Sequence, residues 1–510
     1  MLLLPSESIS MPAASFGAFI FRDHINRWLL TGAIAMALVK ILLFRHFFPY
    51  MDFTSDTFPY MQAALLRLDY NIWPIGYSRF LWLFHQVSRS EIMLSVIQFA
   101  MLELSSLFFY FSVVYIFQVR NFFRYGFYVF LLVNPLFIFL GNYLISDALF
   151  LTLGLLWITL VLWMLYRPAT WMLIVHGLLL AAAFTVRYNA MFYPFVALVP
   201  ILLSRYKPWQ KLLAVIFPLM LIAVFVQFMR QKSWEHSGVR TFSVFSGWQM
   251  MNNAMYMLPH LTMDSTTSRP EFALLQKDVY KFTRALHKMR KNVTPVDGSF
   301  YMWEAAGPQK RALQRFMQAD TTKDTYTAWA SLSVQFADYG ADMIRRYPLQ
   351  YARYYLLDNA KLYLLPPLEV LGSYNRPVIR GVKGTADVLF KNGDREMPRS
   401  KYDDLQAFLM SLFPSLLVVC HLVFLEETIR YLVKKGIRKS NRIFNISLLF
   451  CWTFILANFA FSVLAAPIVL RYQVLLIVLL TGYTLLLTEV TDAPADIPGE
   501  KDDEHMMLGI

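Results

Sequence analysis

Two aspartates begin a polar segment that directly follows the first long apolar stretch of the chain. Asp52 and Asp56 lie near the start of this segment, residues 49–91. Charged groups beside a bilayer cost free energy, so carboxylates at such a boundary are candidates for a functional site. A carboxylate there can act as a general base that takes a proton from an attacking hydroxyl or amine. The alternative is structural, with Ser55 or Asp56 capping a short helix that has Pro59 in its first turn.

The same two carboxylates suggest a possible metal ion. Asp52 and Asp56 offer oxygen ligands of the kind that Mg²⁺ or Mn²⁺ prefers, so a shared divalent cation is a second alternative. Elsewhere the sequence has no Asp-x-Asp motif and no Cys/His metal box, and Cys420 and Cys451 fall inside apolar stretches. The sequence therefore predicts no dedicated metal site.

A third acid, Asp147, stands immediately before another apolar stretch, within Tyr143–Phe150. A Ser-Asp pair before an apolar run is typical of a helix N-terminus, so capping is the first interpretation of Asp147. The topology derived below places Asp147 on the same side of the membrane as Asp56. We therefore expect the two carboxylates to line one cavity.

Three basic residues are candidates for binding a phosphate. Arg187 and Arg471, in Arg-Tyr-Asn and Leu-Arg-Tyr-Gln, each lie near one end of an apolar stretch. A guanidinium at that depth can hold a lipid phosphate through paired hydrogen bonds, or it can simply extend to the headgroups. Lys40 lies deeper in its stretch, where a lysine usually faces protein or a watery cavity.

A short aromatic motif, Trp73-Pro74-Ile75-Gly76-Tyr77, lies farther along the segment that begins with the two aspartates. Pro and Gly at this spacing are typical of a rigid loop. With Tyr60, its aromatic residues are candidates for contacting a substrate. The alternative is an interfacial aromatic belt, which needs no substrate.

The composition excludes an ordinary soluble protein. The chain has 510 residues, of which 57% are hydrophobic and 16% charged. Recurrent apolar stretches predict an all-α, multi-pass membrane protein with about ten transmembrane helices. We expect these spans at about 28–48, 92–117, 126–140, 148–166, 172–185, 190–203, 212–229, 405–425, 443–464 and 468–487.

The distribution of Lys and Arg predicts the orientation of these spans. Short basic loops mark the cytoplasmic side, which places both termini in the cytoplasm and residues 49–91 outside. The net charge of +13 is then explained by orientation rather than by nucleic-acid binding. The predicted parts are an N-terminal transmembrane module of about seven spans, a large, mainly helical extracytoplasmic domain, a C-terminal module of three spans and a cytoplasmic tail: 1–229, 230–405, 406–488 and 489–510.

Together, these motifs resemble those of the GT-C superfamily of integral-membrane glycosyltransferases, such as protein O-mannosyltransferases and aminoarabinose transferases. The resemblance rests on the acid after the first span, Pro-Ile-Gly-Tyr, Tyr143–Leu149 and the two Arg-Tyr pairs, mostly within residues 28–230. The family often has Pro-Pro-Gly-Tyr where this chain has Pro-Ile-Gly-Tyr. Residues 230–405 resemble the family only in layout.

The resemblance implies a GT-C-like fold and inverting transfer of a sugar from a polyprenyl-phosphate donor to a glycan, lipid or protein acceptor. Asp56 resembles the family's catalytic base, because the family's acid is followed a few residues later by a Tyr, here Tyr60, and Asp52 is the second choice. Asp147 matches a second acidic position, which in some members helps to bind acceptor or metal. By position alone, Arg187 and Arg471 would hold the donor phosphate.

Two other classes of function remain open. A transporter or flippase of lipid-linked sugars would use the same arginines without a base, and a non-catalytic assembly protein would use Asp56 and Asp147 only as caps. An enzyme predicts that both acids and an arginine converge on one outward cavity. We expect the membrane to be a bacterial inner membrane, with the endoplasmic reticulum as the alternative.

Overall fold

The computed structural model of the protein describes residues 15–54, 56–262, 269–374, 386, 388–390, 402–437 and 442–492. Ser55, the alternative helix cap, and most of the predicted tail lie outside these residues. Across the described ranges the chain is helical and forms no β-strand. One isolated β-bridge joins Asp52 to Tyr143. The predicted all-α class is confirmed.

The α-helices are numbered here in chain order. They are α1 (Phe16–Phe21), α2 (His24–Phe47), α3 (Thr57–Leu65), α4 (Ile75–Val87), α5 (Glu91–Phe117), α6 (Asn121–Val133), α7 (Leu136–Asn142), α8 (Asp147–Tyr166), α9 (Thr170–Val186), α10 (Tyr193–Leu203), α11 (Pro208–Ser237), α12 (Val244–Met255), α13 (Ala273–Lys288), α14 (Phe300–Trp303), α15 (Pro308–Ala319), α16 (Thr325–Arg346), α17 (Pro348–Tyr351), α18 (Leu357–Leu364), α19 (Asp403–Lys434), α20 (Arg442–Ala465) and α21 (Val474–Asp492). Three short 3₁₀ segments matter for the site: Tyr188–Phe192, Glu369–Gly372 and Leu470–Gln473.

Eight helical segments in the described part of the chain are long and apolar enough to cross a membrane. They are His24–Phe47, Glu91–Phe117, Asn121–Asn142, Asp147–Tyr166, Pro208–Ser237, Asp404–Lys434, Arg442–Ala465 and Leu470–Asp492. Each overlaps one predicted span, and together they indicate an integral membrane protein.

The other two predicted spans coincide with shorter apolar helices, Thr170–Val186 and Tyr188–Leu203. The first has 17 residues, and at 1.5 Å per residue it measures about 25 Å. A hydrocarbon core is about 30 Å thick, so this helix is at the lower limit for a crossing. The prediction of ten spans therefore depends on these two helices, which meet at Arg187.

The segment after the first span is more helical than the sequence indicated. The expected short helix after Asp56 is α3, but Pro74 is followed by a second helix, α4, that was not predicted. Farther along, α11 continues to Ser237 without a break. It therefore passes the predicted domain boundary at residue 229.

The middle domain, about residues 239–356, has its own hydrophobic core, centred on the contact between α12 and α16. Trp248 stacks on Trp329 with ring centroids 3.8 Å apart. At Gly247 the helices are so close that an added Cβ would lie 1.8 Å from the Ser333 carbonyl oxygen. This contact fixes α12, whose other face borders the cavity described next.

Candidate functional site

The loop that begins with the two aspartates is bound to the loop that precedes α8. The Asp52 amide donates to the Asn142 carbonyl (2.9 Å), and the Leu144 amide donates to the Asp52 carbonyl (3.1 Å). The Thr57 hydroxyl donates to the Leu144 carbonyl at 3.0 Å. These bonds bring Asp56 and Asp147 close together, although they lie far apart in sequence.

Two tyrosines from the same region hold the second loop in place. The Tyr60 hydroxyl donates to Ser146 Oγ at 3.2 Å, directly beside Asp147. The Tyr77 hydroxyl donates to Gln98 Oε1 at 2.7 Å, and Gln98 Nε2 in turn donates to the Tyr143 carbonyl at 3.0 Å. Tyr77 is thus a buried support, whereas Tyr60 also lines the cavity.

Gly76 lets α4 pack against the end of α9. A Cβ at this position would lie 2.6 Å from the backbone of Thr185, so a larger residue would force the two helices apart. The contact fixes the position of Arg187, which follows α9 at once. Gly76 and Tyr77 of the Pro-Ile-Gly-Tyr motif therefore stabilise the packing of helices and loops around the site.

Five charged side chains form the centre of the site, and we refer to them as the ionic cluster. Arg471 Nη1 lies 3.1 Å from Asp147 Oδ2, its Nε lies 2.9 Å from Glu369 Oε2, and its Nη2 lies 3.7 Å from Asp56 Oδ2. Arg187 Nη1 binds the other oxygen, Oδ1, of Asp147. The two arginines therefore share one carboxylate.

Tyr472 separates the two guanidinium groups of the cluster. Its ring centroid is 4.8 Å from Arg187 Cζ and 4.9 Å from Arg471 Cζ, within the range of cation–π attraction. Its hydroxyl accepts a hydrogen bond from Arg471 Nη2 at 3.1 Å. The arginines are thus held in fixed positions.

Neither Asp56 nor Asp147 acts as a helix cap through its side chain. Asp56 occupies the N-cap position of α3 but makes no capping hydrogen bond, and Asp147 is the first residue of α8 and binds the arginines instead. Burial raises the pKa of the Asp56 carboxyl above its usual range, although the Arg471 guanidinium acts in the opposite direction. A carboxyl with a raised pKa beside a cavity is suited to accept a proton.

The ionic cluster borders a cavity of about 680 Å³. The charged residues that line this cavity are Asp56, Arg187, Glu369 and Arg471. Asp147 lies behind the arginines, beside a small neighbouring cavity of about 40 Å³. Within the described part of the chain, the charge that faces the large cavity therefore belongs to the ionic cluster, and Asp56 and Asp147 do not line one cavity as expected.

Across the described residues, the wall that the middle domain contributes to the cavity is polar but uncharged. Gln249 and Asn253 of α12 line it, joined by a 2.7 Å hydrogen bond from Gln249 Nε2 to Asn253 Oδ1. Ser299 Oγ donates to Gln249 Oε1 at 3.2 Å. Trp73 and Trp303 add aromatic surface. This neutral wall is held in place by its own hydrogen bonds.

The segment that carries Arg471 is anchored by a buried amide. Asn359 Nδ2 donates to the Val463 and Ala466 carbonyls at 2.9 and 2.8 Å, and its Oδ1 accepts from the Ile468 amide at 2.9 Å. Asn359 is completely buried. It fixes the turn between α20 and the segment that contains Arg471.

The predicted residues Asp52 and Lys40 lie outside the cavity. The Asp52 side chain is buried, and its contribution is the backbone pairing with the second loop. Lys40 pairs with Glu103 between α2 and α5, with its ammonium 5.3 Å from the Phe99 ring centroid. The structure thus brings together Asp56, Asp147 and both arginines, but not these two residues.

The cluster does not fit a divalent cation. Both oxygens of Asp147 already accept from guanidinium groups, so a cation there would face two positive charges. Asp52 and Asp56 do not line a common cavity. Among the residues that the structure describes, no group of three or more His, Cys, Asp or Glu side chains could hold a metal ion.

Two members of the site were not predicted from the sequence. Glu369 lies two residues after Pro366-Pro367, and Tyr472 directly follows Arg471. The available signals were an isolated acid after Pro366-Pro367 and the repeated Arg-Tyr pair. Neither signal shows that Glu369 or Tyr472 contacts Arg471.

No family model, no curated protein and no solved structure matches this chain. Its function is therefore inferred from the cavity and the residues around it.

Proposed function

We propose that the protein is a membrane glycosyltransferase of the GT-C type, with Asp56 as its general base. It moves a sugar from a polyprenyl-phosphate donor to an acceptor on the extracytoplasmic face of the membrane. The observation that carries the proposal is that an acid free of any capping role and two arginines meet at one large cavity. Simple helix caps would have left this cavity without acids.

The arginines supply a site for the donor phosphate. Arg187 follows α9 and Arg471 precedes α21, so both lie where apolar helices end, at the level where lipid headgroups would be found. Guanidinium groups bind phosphate oxygens through paired, charge-assisted hydrogen bonds. The exposed apolar residues Met191 and Leu464 also line the cavity and offer a route for a lipid chain.

The neutral wall supports a sugar as the transferred group. Amide and hydroxyl groups such as those of Gln249 and Ser299 can exchange hydrogen bonds with sugar hydroxyls, and Trp73 and Trp303 can pack against the apolar face of a sugar ring. The same wall offers no charge to a second ionic substrate. It therefore favours an uncharged, polyhydroxylated group.

In the proposed reaction, ionised Asp56 takes the proton of the acceptor hydroxyl or amine. The acceptor atom bonds to the anomeric carbon of the sugar, and the bond from that carbon to the phosphate oxygen breaks. The polyprenyl phosphate leaves with the electron pair. Arg471 and Arg187 offset the negative charge that develops on it.

A donor-turnover assay tests this proposal. The purified protein in nanodiscs would receive a panel of polyprenyl-phosphate sugars together with candidate glycan, lipid and protein acceptors. Release of free polyprenyl phosphate that depends on the acceptor is the expected result. Saturable donor binding without release, across the whole panel, would contradict the transferase and favour a transporter.

A further inference from the structure

The middle domain carries a row of basic side chains on one surface helix, which we refer to as the basic stripe. Its members are Lys277, Lys281, Arg284 and Lys288 of α13, and all four are exposed. At 3.6 residues per turn, their spacing places them within an arc of about 60°. At 1.5 Å per residue, the stripe extends over about 17 Å. One face of the helix is therefore a continuous line of positive charge.

The stripe is not neutralised by carboxylates of the chain. In the part of the chain that the structure describes, none of its four side chains forms an ion pair, and Arg284 Nη1 lies 3.5 Å from the Tyr280 hydroxyl. The acid of this helix, Asp278, is buried and pairs with Arg315 instead. Like charges four residues apart destabilise a helix, so the stripe lowers the stability of α13. An anionic partner would reverse this effect.

The C-terminal half of α13 lies beside the wall of the large cavity. Phe282 of this helix packs against Phe300 with ring centroids 6.4 Å apart. Lys291, just beyond the helix, has its ammonium 4.2 Å from the Phe300 ring centroid. Ser299, the residue before Phe300, lines the cavity. The stripe therefore leads along the surface of the middle domain toward the cavity.

The distribution of apolar residues on α13 differs from that of a helix that lies on a membrane. Such a helix presents a broad apolar face to the lipid beside its basic residues. The apolar face of α13 is instead buried in the core of the middle domain, for example at Val279 and Leu286. The exposed side chains of Leu274 and Met289 lie near its two ends. The stripe thus fits a hydrated anionic chain better than a lipid surface.

We propose that the basic stripe binds an acidic glycan, and that the acceptor of the proposed transfer is a sugar polymer with carboxylate, phosphate or sulfate groups. This inference rests on the proposed function and names the chemical class of the acceptor. The charges of the stripe lie about 6 Å apart along the helix axis, within the Debye length of about 8 Å at physiological salt, so their attraction for a polyanion adds up. The stripe holds the acidic chain, and the neutral wall receives the hydroxyl groups at its end.

The test is the affinity of the full-length protein for dextran sulfate, a sulfated glucan, with neutral dextran as the matched probe. Fluorescence polarisation of the labelled polymers would be measured with the protein in phosphatidylcholine nanodiscs at low salt. The stripe variant combines Lys281→Gln with Arg284→Gln. The control variant combines Lys323→Gln with Lys361→Gln, which changes the net charge equally at two lysines that each pair with an aspartate three residues earlier.

We expect dextran sulfate to bind the stripe variant about fivefold more weakly than the wild type, and the control variant as tightly as the wild type. Neutral dextran should show no difference among the three proteins. An equal loss of affinity in both variants would overturn the inference, because a general attraction to a positively charged protein would explain it. The fivefold difference should persist in nanodiscs that contain phosphatidylglycerol. Its disappearance there would mean that lipid headgroups occupy the stripe, which contradicts the proposal.

Gln has nearly the helix propensity of Lys and Arg, so the stripe variant should fold, with thermal melting as the check. If it does not fold, Lys277→Gln with Lys288→Gln replaces it, with the same direction expected. The readout does not depend on turnover. Stripe-dependent affinity in a protein that transfers no sugar would support glycan binding and contradict the transferase, whereas turnover of neutral acceptors without stripe-dependent affinity would do the reverse.

Discussion

Two of the groups of buried charge within or beside the apolar helices are built differently. Lys40 and Glu103 form a single pair between α2 and α5, with side chains 13% and 8% exposed. Neither lines the large cavity. The ionic cluster instead joins five side chains from separate parts of the chain and borders that cavity.

The difference shows which property marks a candidate site. Both groups satisfy the general rule that charge within or beside membrane segments finds a partner. The Lys40–Glu103 pair is electrically balanced, because the ammonium and the carboxylate neutralise each other. The cluster has a carboxyl with a raised pKa in Asp56 and borders space for a ligand. Convergence on a cavity, rather than burial of charge, distinguishes the two.

Replacement of Arg471 by Met should have the largest effect. The change removes the charge that faces the donor phosphate and leaves Asp147 with one guanidinium. We expect turnover to fall by about 10²–10³-fold, as when a donor to a developing negative charge is lost. Arg79→Met is the control, because Arg79 pairs with Asp69 and does not line the cavity. An equal loss of initial rate in Arg471→Met and Arg79→Met would contradict the role assigned to Arg471.

Replacement of Lys40 by Met should affect stability rather than binding. It leaves Glu103 buried without its cation, and loss of one partner of a buried pair costs about 3–5 kcal/mol. We expect a lower melting temperature in detergent and an unchanged donor affinity. The double variant Lys40→Met with Glu103→Met should recover most of the stability. A large loss of donor affinity in the double variant would place Lys40 in the site after all.

The pH dependence of the reaction should report on Asp56. Burial raises the pKa of this carboxyl, so its basic form is lost on acidification at a higher pH than for an ordinary aspartate, whose pKa is about 3.9. Values of kcat/KM should therefore fall as the pH decreases through this raised pKa. Residual activity in Arg471→Met should fall at a still higher pH, because that guanidinium lowers the Asp56 pKa. An identical acidic limb in both proteins would contradict the assignment.

Replacement of Tyr60 by Phe should have the smallest effect. It removes the hydrogen bond to Ser146, of about 1 kcal/mol, while the backbone pairing of the two loops remains. We expect turnover to decrease about fivefold with little change in melting temperature. Tyr110→Phe loses a comparable bond, to the Arg124 carbonyl, away from the cavity. It should leave turnover unchanged, and a similar loss in both variants would indicate a general packing effect.

The sequence predicted the helices of the membrane part well, because long apolar stretches can be recognised without knowledge of their partners. It placed Asp56 and Asp147 at the ends of such stretches, and the structure places them beside one another. It could not separate Lys40 from the site, since its partner Glu103 is 63 positions away.

The parts of the site that were missed depend on contacts distant in sequence. Glu369 reaches Arg471 across 102 positions, and the neutral wall comes from a domain whose helices could be predicted but not their orientation. The short helices that meet at Arg187 show the same limit. Hydropathy identified them as spans, but the structure shows that both are shorter than the eight helical segments long enough to cross a membrane.

The most direct test of the account separates donor binding from transfer in Asp56→Asn. The amide keeps the shape of the side chain but cannot take a proton, whereas the two arginines proposed to hold the phosphate remain. We expect Asp56→Asn to bind the donor at least as well as the wild type and to lose more than about 100-fold of its turnover. Turnover near the wild-type rate in a folded Asp56→Asn protein would contradict the central claim that this carboxylate is the base.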